Sequence, residues 1–425
     1  MIEEPAAGCP VDPDFDPLDA AYLADPVAVL RRNPPEHRAI FFAPKLGHYV
    51  VTDYAEADYI FRHPEVFSAA NTQLPLVPLV AEAREILRGE GYRPQPSMVS
   101  IDPPAHGRLR GPTARAFTPA RVSSMIPTIE ATVHELLDVV AETPRFDLVA
   151  ALAHPLPATV VFALIGVPRE DWPQLKSWCG YRTALSWGRP TPEDQIEIAT
   201  NLAAYRRYIY DLVRTKVDQR ADDLASDLLA IHDEAPEQLD VEEIGSILFS
   251  LSFAGHETTI GLIGNMLRRL LEDRSRWEEI VARPQLAAAA VDETLRYDTS
   301  VPAWRRVTTR STRLGAVELP EGAKLFLWLV AADRDPTVFA DPELFDLHRT
   351  DAHRALAFGK GIHYCIGMSL GKTEATLALR ALVRRFPDLR LVDGQDLTFH
   401  PNISFRGPQA LWVERAEGGC SRHRQ

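Results

Sequence analysis

The sequence predicts a mainly α fold with small β-sheets, and three observations carry that prediction. Apolar residues recur at helical spacing over several long stretches, one of those stretches is apolar on every side, and short β-branched runs bounded by turn residues are confined to Ala39–Thr52 and to the chain after Thr294. Residues 1 to 36, rich in Pro and Asp, read as an irregular arm. The apolar runs around Lys45-Leu46-Gly47-His48 form a hairpin pattern. Pro75, Pro78, Pro94 and Pro96 break the stretch to Ser100 into a loop with room for one short helix, the kind of segment that often carries function. Ser123–Val140 and Glu193–Arg220 carry the 3.6-residue period of amphipathic helices. Asp240–Asp273 is apolar all round and so predicts a buried helix, about 50 Å long. Arg305–Leu319 and Lys324–Val330 then read as strands, Glu374–Phe386 as a helix, and Leu389–Val413 as short strands and turns. With no internal repeat and no linker within them, residues 37–413 read as one domain, followed over 414–425 by a disordered polar tail or the start of a linker.

Composition narrows the function classes. The chain has 425 residues, is 46% hydrophobic, and carries 46 Lys and Arg against 59 Asp and Glu, for a net charge of -13. That is the make-up of a soluble globular protein and argues against a nucleic-acid binder. Cys9, Cys179, Cys365 and Cys420 are too scattered for a disulfide framework or a structural zinc site. The acidic start resembles no secretory leader, and no run reaches the length of a membrane span. The expectation is a soluble, reduced, cytoplasmic monomer that engages no membrane.

Three motifs carry chemistry. In Phe358-Gly359-Lys360-Gly361-Ile362-His363-Tyr364-Cys365-Ile366-Gly367, glycines surround one cysteine just before a helix. Such a backbone can turn tightly against a large flat group, and unpaired N–H groups at the helix start favour a thiolate, the form that ligates metals. Ala254-Gly255-His256-Glu257-Thr258-Thr259 places an acid beside an alcohol in the middle of the apolar helix, where an unpaired charge is costly, and Gly255 permits a bulge. Ile260 stands where a zinc-binding second histidine would have to be. In Glu293-Thr294-Leu295-Arg296 the two charges share a helix face.

In this order and spacing, the motifs resemble the cytochrome P450 family over almost the whole chain. The resemblance implies the cytochrome P450 fold, with the long central helix over a haem b, and a monooxygenase that adds one atom of dioxygen to a small apolar substrate. It implies Cys365 as the iron ligand, with Phe358, Gly359, His363, Gly367 and Ala254 against the cofactor, and Glu257 with Thr258 as the catalytic proton relay. By the same resemblance His106 and Arg110, at i and i+4 on one helix face, bind haem propionates together with Arg306, or Arg305 one register away. Glu293 and Arg296 match a structural pair whose third member falls to His348 or Arg349, since Leu344 occupies the expected position. Ala254, Val301, Pro302 and Ser404 are the positional candidates for a substrate pocket.

Trp304-Arg305-Arg306-Val307-Thr308-Thr309-Arg310, Gly322-Ala323-Lys324-Leu325-Phe326-Leu327-Trp328 and Pro401-Asn402-Ile403-Ser404-Phe405-Arg406-Gly407-Pro408 look most like bacterial members fused to a flavin and [2Fe-2S] reductase. Electrons from NAD(P)H would therefore arrive through such a reductase or through a ferredoxin and its reductase, received at a basic patch of Arg108, Arg115, Lys360 and Lys372. A peroxide-driven peroxygenase on the same haem, and a cysteine-nucleophile hydrolase using Cys365 and His363, are the alternatives.

Overall fold

The computed structural model describes residues 5–6, 8–32, 39–89, 97–178 and 183–415. Of the tail expected over 414–425, Glu414 and Arg415 instead end the strand Trp412–Arg415, and the remainder, with Cys179 and Cys420, lies outside the described residues. A helix-rich body holds the larger apolar core, and a β-rich edge carries the rest. At the centre runs the helix Val241–Leu271, started by a reciprocal cap in which Asp240 accepts from the Glu243 amide at 2.7 Å while Glu243 accepts from the Asp240 amide at 3.0 Å. Its Ile244, Leu248, Leu262, Ile263 and Met266 are sealed in the core, as its all-round apolar pattern predicts. Helices Pro155–Ile165, Pro192–Asp218, Ala287–Tyr297 and Met368–Arg385 pack against it. The bulge that Gly255 permits is not used, because the helix is continuous and α-helical throughout. Instead, Val149–Ala153 forms a π-helical segment packed on it.

The ten strands of the described residues are β1 (Ile40–Ala43), β2 (His48–Val51), β3 (Phe67–Ser68), β4 (Arg145–Asp147), β5 (Ala303–Thr308), β6 (Thr312–Leu314), β7 (Val317–Leu319), β8 (Lys324–Trp328), β9 (Leu389–Leu391) and β10 (Trp412–Arg415). The main sheet has the order β1-β2-β8-β5-β3; β4-β10-β9 and β6-β7 are smaller. In β5, Arg305 lies opposite Phe326 and Arg306 opposite Leu325. Successive side chains of a strand point to opposite faces, so the two arginines serve different surroundings.

The expected irregular arm needs correction. The arm is not irregular throughout: Ala20–Ala24 and Pro26–Arg32 are helical, and Phe15, Tyr22, Val27 and Leu30 are buried against Phe326 and Trp328. Asp19 caps the first of these helices, and apolar residues spaced between the prolines and aspartates supply its buried face. Near the C-terminus, Arg406 donates to the carbonyls of Leu23 and Ala24, so the arm is fastened to the far end of the chain. In the proline-broken stretch, Ala81–Arg88 is the short helix, and 90–96 lies outside the described residues.

Candidate active site

The cysteine loop is held from three sides. The Cys365 amide donates to Phe358 O at 3.0 Å, and the Gly359 amide to Leu356 O at 2.7 Å, which folds the loop back on itself. Gly359 and Gly361 have φ of +65° and +68°, a region that favours glycine, and a Cβ on Gly361 would run into the carbonyl of Phe61. On the opposite side Arg110 donates to Tyr364 O at 2.7 Å. The backbone N–H groups of Gly367 and Met368 point at the Cys365 sulfur. They do not win: burial pushes the thiol above its ordinary value, with those amides and Arg110 only partly offsetting it.

Around this loop the fold gathers basic side chains. His106 and His363 have ring centroids 4.3 Å apart, and Arg110 and Arg306 act on His363 electrostatically. Burial first, then these cations, pull His363 down to about 3, while its bond to Met98 opposes the shift. His106 is lowered by burial and then by Arg110. Arg306 is 2% exposed, is pulled down to about 10 by burial, and rests over Phe61 with one donation to Arg305 O at 2.8 Å. Arg305 turns the other way and donates to Thr72 O and Ser186 O. Asp102 is the acid that acts on both His106 and Arg306, and it is itself engaged by Ser68 and the Ala69 amide. It stands within the sequence segment that carries His106 but shows no periodicity or pairing signal of its own.

These residues fit the haem that the sequence motifs imply. Two guanidinium groups, Arg306 buried and Arg110 half-buried, have the single acid Asp102 near them, and His363 Nε2 has no hydrogen-bond partner. A pair of carboxylates is what such a pocket lacks. Among the described residues no group of three or more His, Cys, Asp or Glu comes together, so a lone Cys365 could hold iron only where the other ligands belong to a cofactor.

On the central helix, Ala254 is exposed although the helix crosses the core, and Ser250 and Thr258, one turn to either side, are half-buried. This is a stripe of open surface inside the molecule. Thr258 Oγ1 donates to Ala254 O at 2.9 Å, leaving its lone pairs available. Glu257 is not sealed in apolar surroundings; its side chain keeps 23% exposure, with a carboxylate oxygen 3.6 Å from Nε2 of the buried His256. Of the pocket candidates, Val301 is half-buried and Pro302 buried. Ser404 is 0% exposed and lines no open surface, because its turn is closed by Asn402 accepting from the Ser404 and Phe405 amides.

The Glu293–Arg296 pair is fully buried, with contacts of 2.7 and 2.9 Å. Its third member is Arg349, whose Nε lies 3.1 Å from Glu293 Oε2; His348 turns outward to Glu279 at 2.8 Å. The proposed basic patch is weaker than its composition suggests, since Arg108 is paired with Glu243 and Lys372 with Asp292 at 2.5 Å. Among the described residues no helix is long and apolar enough to cross a membrane.

Comparison with known proteins agrees with this geometry. The cytochrome P450 family model matches residues 195–403. Cytochrome P450 107B1 of Saccharopolyspora erythraea is 33% identical over 94% of this chain and 98% of its own, and the cytochrome P450 monooxygenase PikC of Streptomyces venezuelae is 35% identical over 96% and 95%. Among solved structures, the P450 haem domain of Tepidiphilus thermophilus superposes with a TM-score of 0.91 at 33% identity, covering 95% of this chain and 96% of that one. An intact type IV self-sufficient cytochrome P450 monooxygenase superposes with a TM-score of 0.92 at 35% identity, and there the match covers 96% of this chain but 54% of the longer one. A cysteine hydrolase is thereby set aside. With a lone cysteine in its glycine loop, a cation-rich pocket beside it and relatives matched end to end, this chain belongs to the cytochrome P450 family of haem-dependent monooxygenases.

Proposed function

We propose that the protein inserts one atom of dioxygen into an apolar organic substrate, with electrons from NAD(P)H delivered by a redox partner. One observation carries this reading: Cys365 lies beside Arg110, and Arg110, Arg306 and the imidazoles of His106 and His363 gather around a single acid, Asp102. The haem, when bound, supplies the reduction and cleavage of dioxygen. Cys365 is the thiolate that holds its iron, and the Gly367 and Met368 amides tune that sulfur. Arg110, Arg306, His106 and His363 orient the carboxylates. Phe358, Gly359 and Gly367 shape the cysteine side of the cofactor, and Ala254 offers a small apolar wall on the other.

Thr258 Oγ1, a donor to Ala254 O, would accept a hydrogen bond from a water and so hold that water where oxygen is reduced. Glu257, with its partial exposure, would pass protons from solvent to that water. Thr258→Ala tests this assignment. It should bind substrate and show an unchanged thiolate spectrum, while most of its NAD(P)H consumption yields peroxide. Product formation that stays fully coupled would remove Thr258 from the relay. For the redox partner, the match to self-sufficient enzymes supports a flavin–iron–sulfur reductase, supplied in trans or fused. With Arg108 and Lys372 already paired, docking leans less on charge, and raising salt should slow electron transfer only modestly.

A further inference from the structure

Asp333 is buried, with 0% exposure, between the Glu293–Arg296–Arg349 cluster and the cysteine loop. Each of its polar groups but one is engaged. Its amide donates to Leu329 O at 2.8 Å, ending the short helix Leu329–Ala332. Its carbonyl accepts from Arg296 Nη1 at 3.2 Å. Its Oδ1 accepts from the amide of Leu356 at 2.8 Å, and Oδ2 has no partner. Leu356 is the root of the loop, because its carbonyl takes the Gly359 amide and the next turn closes between Phe358 O and the Cys365 amide. A single residue thus joins the buried triad to the segment that presents the sulfur.

We propose that Asp333 is a positioning residue for the reaction: through Leu356 it sets the backbone of the cysteine loop, and hence how firmly Cys365 is held toward the iron. The ligand role of Cys365 is the reading given above, and the inference rests on it. An apolar side chain would fill the same space at lower desolvation cost, so a buried carboxylate bonded to one amide is an expensive anchor unless that amide must be fixed. The groups facing it are Arg296, Arg334 and Lys360, which favour the carboxylate, and Tyr54 from the neighbouring helix; burial outweighs them and pushes the carboxyl up to about 7. Its proton therefore comes and goes near neutral pH, and the anchor is a charged acceptor above that point and a neutral one below it.

The test compares haem-loaded wild type, Asp333→Ala and Asp333→Asn by amide hydrogen exchange and by the absorbance of the reduced carbon monoxide complex. Asp333→Ala should raise exchange at Leu356 and Gly359 by about tenfold, leave the helix Pro192–Asp218 unchanged, and speed conversion of the thiolate spectrum to the form with a protonated sulfur. Asp333→Asn, which keeps a carbonyl acceptor, should stay within about twofold of wild type. Wild-type exchange and spectra in the Ala variant would overturn the proposal. Should that variant not fold, wild type and Asp333→Asn are compared from about pH 6 to about pH 8, where loop protection relative to the intrinsic exchange rate at each pH should change around neutrality in the wild type and not in the Asn variant; superimposable protection profiles overturn it. A wild-type protein without a thiolate spectrum would instead refute the ligand assignment, while the exchange arm still decides whether Asp333 anchors the loop.

Discussion

Two buried clusters of charge in this molecule have opposite characters. In the Glu293–Arg296–Arg349 cluster, the carboxylate meets both guanidinium groups and the Asp346 amide, and the remaining N–H groups go to the carbonyls of Asp333, Ala340, Asp341, Pro342 and Leu344. The cluster is complete within the polypeptide. In the His106–Arg110–Arg306–His363 cluster two guanidinium groups lie with two imidazoles held low, and Asp102 is their shared and already occupied acid. A site finished by the chain holds the fold, and one left with surplus charge is finished by something else. That difference separates a structural ion-pair cluster from a binding pocket on physical grounds alone.

Breaking the closed cluster should have the largest effect. Glu293→Ala leaves two buried guanidinium groups without their carboxylate and should cost ~3–5 kcal/mol, a large share of a typical folding free energy. Thermal unfolding of the protein, or its loss from the soluble fraction, would show it. In the open cluster Arg306→Leu should behave in the reverse sense, with the apoprotein no less stable while haem dissociates about tenfold faster, or by about 1.4 kcal/mol, as read by transfer to an acceptor apoprotein.

A third contrast comes from acid. His363 is held down near 3, against about 6.5 in an unfolded chain, so its contribution is intact above about pH 6.5 and is lost as pH falls toward 3. Carboxylates beside it would raise it again, and the haem-loaded protein should therefore lose less stability than the apoprotein over that interval. Melting curves of the two forms should diverge as pH falls, since His48 and His400, also held low by burial, are common to both. The smallest effect separates the two candidates for the third member of the triad. His348→Ala should change stability by no more than about 0.5 kcal/mol, whereas Arg349→Ala should cost ~2 kcal/mol or more, measured by denaturant midpoints.

Much of this arrangement is legible in the residues. The central helix, the hairpin and the late strands declare themselves by period and turn chemistry, and the glycine-cysteine loop by composition. The choice between Arg305 and Arg306 is not legible, because it depends on which face of β5 meets the pocket, a matter of pairing with β8. Which of His348 and Arg349 completes the triad is hidden for a similar reason, since 56 residues separate Arg349 from Glu293 and no local pattern links them. The arm misleads because Pro and Asp, read as loop formers, here begin and cap two short helices whose few apolar residues are all used. The burial of Ser404 and the pairing of Arg108 and Lys372 are tertiary, as neither enclosure nor ion pairing can be seen from spacing. Asp333 is an ordinary aspartate until its surroundings are known.

The bond from Arg406 to Leu23 and Ala24 has a consequence for the making of the protein. The two ends of that contact are separated by 383 positions, so on a ribosome adding ~5–20 residues per second the first helices emerge roughly 20–80 seconds before their partner. During that interval Phe15, Tyr22 and Val27 have no finished surface to cover, since Phe326 and Trp328 are also still to come. Docking of the leading segment is thus among the last events of biosynthesis, and nascent chains stalled before residue 406 should expose it to protease.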